Sequence, residues 1–257
     1  MIMTEGNTPS FSGVSYERTN EMMNTLLEFL RTCWPALLAT ALAAYLLGSV
    51  NCAIIVTRLL DKTDIREHGS GNAGATNVLR SQGKLPALLT TIGDLAKSII
   101  SVLLGGFFMK VLSLPSAYSN ESFVVFGAYF AGLFCIIGHI YPLYFGFRGG
   151  KGVLTTLGMM LILDWKVALI CLGIFIVVVA LSRMVSLGSC CAVACLPIVT
   201  ALFHLFVYHS EPLMVAFCTV MALGIAAILI GKHWPNLKRI RSGTESKLSF
   251  GSKKGNS

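Results

Sequence analysis

A chain of 257 residues with 54% hydrophobic side chains and only 12% charged ones lies far from soluble composition, in which about a quarter of residues carry charge. With a mean hydropathy of +0.73, it reads as an integral membrane protein and not as a soluble enzyme or a disordered chain. The formal charge of +8 suits anionic lipid and anionic substrates, and no nucleic-acid-binding motif accompanies it, so nucleic acid is not an expected partner.

Residues 1–33 read as a polar extension, helical at most near Asn20–Leu30. Four acids and no basic start give it no resemblance to a cleavable signal. Seven apolar stretches follow: Trp34–Thr57, Pro86–Met109, Phe123–Gly138, Val153 to just before Asp164, Val167–Leu181, Leu187–Tyr208 and Leu213–Ile230. The expected fold is therefore all-α, a polytopic membrane bundle of about seven transmembrane helices over residues 34–248, with a loose basic tail at 249–257. Placing the N-terminus outside and the C-terminus in the cytoplasm puts fifteen of the twenty Lys and Arg residues on the inner side, four on the outer side and Lys97 within the membrane. That asymmetry satisfies the positive-inside rule. The eight cysteines sit almost entirely in apolar runs and form no CxxC pair; they read as small buried side chains, and no metal site or cofactor is expected.

Three polar, glycine-rich or basic motifs fall on that same inner side. The first is GSGNAGATNVLR at 69–80. Gly69, Gly71, Asn72 and Asn77 are types that tolerate left-handed backbone, so successive amides can turn inward as an anion nest. Ser70 and Thr76 add hydroxyls, and Arg80 adds a guanidinium fork suited to phosphate. On these residues alone, a plain turn between helices fits as well. The second motif, FRGGKGV at 147–153, places Gly149, Gly150, Lys151 and Gly152 before an apolar helix, whose free amides make an anion site. It lacks the GxxxxGK[ST] spacing of a nucleotide-binding loop, which argues against nucleotide hydrolysis. The third, GKHWPNLKRIRSGTE at 231–245, breaks the last helix at Trp234–Pro235 and brings His233 near Asn236. His233 is a candidate base, and Asn236 a group to orient a hydroxyl or hold an anion. Asp94 and Lys97 share a helical face inside the second span, an expensive depth for charge, and read first as a strut for the site. His139, at a membrane edge, is placed to cap or orient the cradle. No His has an Asp five positions on, and there is no GxSxG elbow.

Together these motifs resemble those of the bacterial acyl-phosphate:glycerol-3-phosphate acyltransferases, over about residues 40–248. GSGNAGATNVLR, GHIYPLYFGFRGGKGV and KHWPNLKRIRSGTE carry the likeness, and Asp94 and Lys97 match the family's DxxK. The chain departs from the family at Asn51, where proline is usual, and in its first 33 residues. The resemblance implies a seven-span inner-membrane enzyme with its site on the cytoplasmic face. It implies transfer of a fatty acyl group from acyl phosphate to the 1-hydroxyl of glycerol 3-phosphate, an early step of phospholipid synthesis, without a cofactor. Membrane lipid and the enzyme that makes acyl phosphate are the partners it suggests. Ser70, Arg80, His233 and Asn236 then match the essential catalytic positions, the GGKG loop with Lys151 the glycerol-phosphate site, and Glu245 a structural position.

An acyl phosphate is already activated, so alignment and charge stabilisation suffice for direct attack. The proton acceptor is either His233 or a substrate phosphate oxygen, and a covalent Ser70 is the rival mechanism. A transporter of phosphorylated metabolites is the rival function; it should show internal repeats and polar residues near the midplane in both halves, whereas here polarity gathers on one side and no repeat appears.

Overall fold

The computed structural model describes residues 11–112 and 121–248. The first ten residues of the extension and the tail at 249–257 lie outside the described residues. The described chain is all helical: α1 (Phe11–Ser49), α2 (Cys52–Leu60), α3 (Ala75–Gln82), α4 (Lys84–Leu112), α5 (Glu121–Ile140), α6 (Val153–Leu163), α7 (Trp165–Ser182), α8 (Val185–Phe206), α9 (Pro212–Lys232) and α10 (Trp234–Arg241). Two single-turn 3-10 helices, Ile65–Glu67 and Leu143–Phe145, shape the loops between them.

Six segments are long and apolar enough to cross a membrane. Two departures from the expected spans matter. The first expected span, Trp34–Thr57, is interrupted: α1 ends at Ser49, and α2 restarts at Cys52. Asn51 causes the restart, because its side-chain oxygen accepts from the Ile54 amide at 3.1 Å and caps α2. The carbonyls released at the break, Gly48 and Val50, accept from Lys97 Nζ at 3.2 and 2.9 Å. Upstream, α1 runs unbroken from the extension into the span, through Pro35.

The second departure is α6, with 11 residues. At 1.5 Å per residue it extends about 16 Å, roughly half of a hydrocarbon core. Asp164 stops it and starts α7 by accepting from the amides of Lys166 and Val167, and it takes the Tyr208 hydroxyl at 3.0 Å. The junction of α6 and α7 therefore lies beside the far end of α8. The chain still passes seven times between two faces, one passage being short.

The helices form two groups joined by α6. In the first, α1, α4 and α5 pack together; in the second, α7, α8 and α9. The largest core cluster joins Tyr129 and Ile136 of α5, Met159 and Met160 of α6, Leu196 of α8 and Ile225 of α9. At the α1–α5 crossing the backbones nearly touch. A Cβ on Gly48 would strike the Cys135 carbonyl, and one on Gly138 the Tyr45 carbonyl. Small residues at such contacts are how helices approach where lipid supplies no hydrophobic drive.

Candidate active site

The first motif folds into a loop closed by its own side chains. Asn77 is its hub: Oδ1 accepts from the Ser70 amide at 2.9 Å, while Nδ2 donates to the carbonyls of Ile65, His68 and Asn72. Gly69 and Gly71 hold left-handed φ values of 58° and 71°, which make the turn that presents Ser70. No base hydrogen-bonds the Ser70 hydroxyl among the described residues. Arg66 ties this loop to the second motif. Its guanidinium forks onto Asp64 at 2.9 and 2.8 Å and donates to the Phe145 carbonyl at 2.7 Å. Arg66, through that fork, holds the Asp64 carboxyl well below the usual range.

The second motif returns tightly against the end of α5. The amides of Gly149 and Gly150 donate to the carbonyls of Ile140 and His139 at 3.2 and 3.1 Å. Any Cβ at Gly149 would strike the His139 carbonyl; at Gly150 it would strike the His139 ring and the Ala73 carbonyl. These two glycines therefore let the loops close on one another, while Lys151 and Gly152 reach the cavity. Burial pulls the Lys151 ammonium down to about 8.

The third motif forms the opposite wall. His233 sits at the α9–α10 junction with Nδ1 2.8 Å from the Leu229 carbonyl. A carbonyl only accepts, so Nδ1 carries the proton and Nε2 keeps its lone pair. Burial holds this histidine below its ordinary value, so the ring is neutral at neutral pH. One turn on, Asn236 accepts from Lys151 through Oδ1 and donates through Nδ2 to Glu245 Oε1 at 2.7 Å. Glu245 also takes Ser186 Oγ at 2.7 Å and Arg239 Nε at 2.8 Å. Burial alone would raise the Glu245 carboxyl, but those three donors outweigh it and hold it below its usual value. Arg80 reaches across to the Ser246 carbonyl at 3.2 Å.

The three motifs enclose one cavity of about 970 Å³. Gly69, Ser70, Asn72, Thr76, Asn77 and Arg80 line it from the first motif, Lys151 and Gly152 from the second, and His233, Asn236 and Glu245 from the third. Asp94 and His139 lie on its inner wall. Gly71, Gly149, Gly150 and Lys97 are not on the lining; the glycines shape loops, and Lys97 stands behind Asp94 and His139. Four contributors escaped the sequence reading as site residues: Arg66, Lys84, Ser186 and Arg239. A serine within an apolar helix gives no signal, and a loop arginine reads as topology until its two partner segments are seen. The rest of the lining includes the apolar Leu79, Leu88, Leu154 and Phe175, with Thr91 and Ser189 as polar members. Among the described residues, no group of three or more His, Cys, Asp or Glu is arranged to hold a metal ion.

The comparisons agree on one family. The family model described as glycerol-3-phosphate acyltransferase matches residues 38–243. A glycerol-3-phosphate acyltransferase of Clostridioides difficile is 39% identical over 208 residues, covering 81% of this chain and 93% of that protein. One from Coxiella burnetii is 37% identical over 215 residues, covering 84% of this chain and 100% of the relative. Among solved structures, the glycerol 3-phosphate form of PlsY (YgiH), an integral membrane glycerol 3-phosphate acyltransferase, superposes with a TM-score of 0.68 at 32% identity, over 83% of this chain and 96% of that one. The lysophosphatidic acid form of the same enzyme superposes with a TM-score of 0.67. With a shared membrane bundle and a family match that takes in the first two motifs and the third as far as residue 243, the chain belongs to the glycerol-3-phosphate acyltransferase family of integral membrane enzymes.

Proposed function

We propose that the protein transfers a fatty acyl group from acyl phosphate to the 1-hydroxyl of glycerol 3-phosphate, giving lysophosphatidic acid and inorganic phosphate, at the cytoplasmic face of the inner membrane. The observation that carries this reading is a single cavity with two kinds of wall. Arg80, Lys84, Lys151 and Arg239 supply cationic charge for two phosphate groups, and Leu79, Leu88, Leu154 and Phe175 supply an apolar side for an acyl chain. A donor with both a phosphate and a chain fits that combination better than a bulky thioester carrier. The solved PlsY forms carrying glycerol 3-phosphate and lysophosphatidic acid support the acceptor and the product.

The chemistry is direct attack. The glycerol hydroxyl oxygen bonds to the acyl carbonyl carbon as that carbon's bond to the phosphate oxygen breaks, and phosphate leaves with the electron pair. The hydroxyl proton goes to His233 Nε2 or to a phosphate oxygen of a substrate. Lys151 and Arg80 offset negative charge already fixed in position, so little reorganisation is needed as the leaving phosphate forms. Alignment of an activated donor with its acceptor accounts for the remainder of the acceleration.

The test is an assay of purified protein in detergent or lipidic mesophase, with palmitoyl phosphate and palmitoyl-coenzyme A as parallel donors. Product from the acyl phosphate alone, lost in Ser70→Ala and His233→Ala, is the expected result. Activity with the thioester alone overturns the donor assignment. A stoichiometric burst of phosphate in the absence of glycerol 3-phosphate would reveal an acyl-serine and overturn direct attack.

A further inference from the structure

Behind the cavity wall lies a buried cluster that direct attack does not use. Lys97, 5% exposed, has four neighbours: the Gly48 carbonyl at 3.2 Å, the Val50 carbonyl at 2.9 Å, His139 Nδ1 at 2.9 Å and Asp94 Oδ1 at 2.9 Å. An ammonium has three N–H groups and no lone pair. Three of the contacts are directed hydrogen bonds, whereas that to Asp94 is an ion pair with no directed bond to its Oδ1. Two carbonyls and a carboxylate favour the ammonium form of Lys97, because a neutral amine has only two N–H groups for them and would leave the buried Asp94 carboxylate without its counter-charge. Lys97 can therefore meet His139 Nδ1 only as donor, and Nδ1 must be the bare nitrogen. Asp94 Oδ1 lies 3.5 Å from Nδ1, too long to compete for a proton there.

The ring proton of neutral His139 then sits on Nε2. His139 is 3% exposed, lines the cavity, and its Nε2 has no hydrogen-bond partner among the described residues. It lies hard against Gly150 of the second motif, beside the Ala73 carbonyl of the first. Nε2 is open to the cavity and not sealed within the wall, so its proton is free for an acceptor that enters there. The two cavity histidines are thus set in opposite tautomers: His233 turns a lone pair to the cavity and His139 a proton.

We propose that His139 is a substrate-binding residue whose Nε2–H, fixed by Lys97 acting as a positioning residue, donates a hydrogen bond to a substrate phosphate oxygen. This rests on the reading of the cavity as the site for two phosphate-bearing substrates. It gives the Asp94–Lys97 pair a role beyond bracing: it holds one tautomer in place from inside the membrane, while the same Lys97 closes the end of α1.

The tautomer is tested in the wild-type protein without substrate, by nitrogen-15 NMR of histidine-labelled protein in micelles, with His139 assigned by its loss in His139→Gln. A bare Nδ1 and a protonated Nε2 are expected; a proton on Nδ1 overturns the proposal. Lys97→Met should move that proton to Nδ1, facing Asp94, and an unchanged tautomer in this variant removes Lys97 from the account. Binding is tested by kinetics. Glutamine places an amide donor near the position of Nε2, whereas asparagine places it near Nδ1. His139→Gln should stay within about threefold of wild type, while His139→Ala and His139→Asn raise one KM about tenfold or more, as expected for loss of a hydrogen bond to a charged group. Separate titrations of glycerol 3-phosphate and acyl phosphate identify whose phosphate is held. Unchanged KM for both substrates, or glutamine as damaging as asparagine, overturns the binding role. Should the protein use a different acyl donor, the donor reading fails while the tautomer and the glycerol 3-phosphate titration still decide the histidine.

Discussion

Lys151 shows how one residue can favour a ligand and disfavour the fold. Its ammonium is desolvated, with a pKa of about 8 against an ordinary 10.5, and its hydrogen-bond partner is the neutral Asn236 oxygen. In the free enzyme the charge that meets a phosphate is lost as pH rises through about 8, so kcat/KM for glycerol 3-phosphate should fall there. Lys151→Arg, which does not titrate, should remove that alkaline limb even if it lowers the plateau. The acid limb should lie below the ordinary histidine value, because burial keeps His233 neutral. Stability runs the other way. The unfolded chain binds the Lys151 proton more tightly than the folded one between about 8 and 10.5, so this group's contribution to stability rises across the window in which activity falls. Measuring kcat/KM and the thermal midpoint over the same pH series checks both signs; parallel curves would mean that Lys151 braces the fold and does not serve the ligand.

At the scale of elements, helix approach is set by glycine and helix boundaries by polar residues. Gly48→Ala or Gly138→Ala must push α1 away from α5, because a backbone carbonyl, not a movable side chain, blocks each new methyl. Overpacking of this kind costs about 1–3 kcal/mol, and the thermal midpoint in detergent should fall accordingly. Gly173→Ala on α7, where nothing lies within 4 Å of the new methyl, should leave the midpoint unchanged or slightly raised, since alanine is the better helix former. Equal losses at all three positions would show that helix propensity, not the α1–α5 approach, is being measured. Boundaries were legible where a polar residue interrupts apolar sequence: Asp164 at the end of α6 and His233 between α9 and α10 stand where the sequence places them. The break at Asn51 was harder to read. A single polar residue in an apolar span can face a neighbour or end a helix, and only the cap on Ile54 and the Lys97 bonds beyond decide between them. The site was legible as three motifs because glycine and charge are rare in such a chain. The pairing of its supports was not, since Lys97 and His139 are 42 residues apart and Ser186 and Glu245 are 59 apart.

For the molecule as a whole, the site and the positive charge coincide on one face. Arg58, Arg66, Arg80, Lys84 and Lys151 lie in or beside the loops that frame the cavity, and Arg239 lines it from α10. Lys110 and Lys166 sit instead at the far ends of α4 and α7, where the chain turns back. The short α6 does not disturb this parity, because α7 brings the chain back: the Leu248 amide bonds the Arg183 carbonyl at 2.7 Å, and Ser186 bonds Glu245 at the cavity. With seven crossings the two ends of the chain are expected on opposite sides, with the basic loops retained in the cytoplasm. A C-terminal green fluorescent protein fusion should therefore fluoresce, and a C-terminal alkaline phosphatase fusion should stay inactive. The reverse pattern would place the cavity outside, away from any cytoplasmic source of acyl phosphate and glycerol 3-phosphate, and would overturn the cytoplasmic site together with the donor. Agreement would mean that the charge which orients the chain during insertion is in large part the charge that lines and frames the cavity.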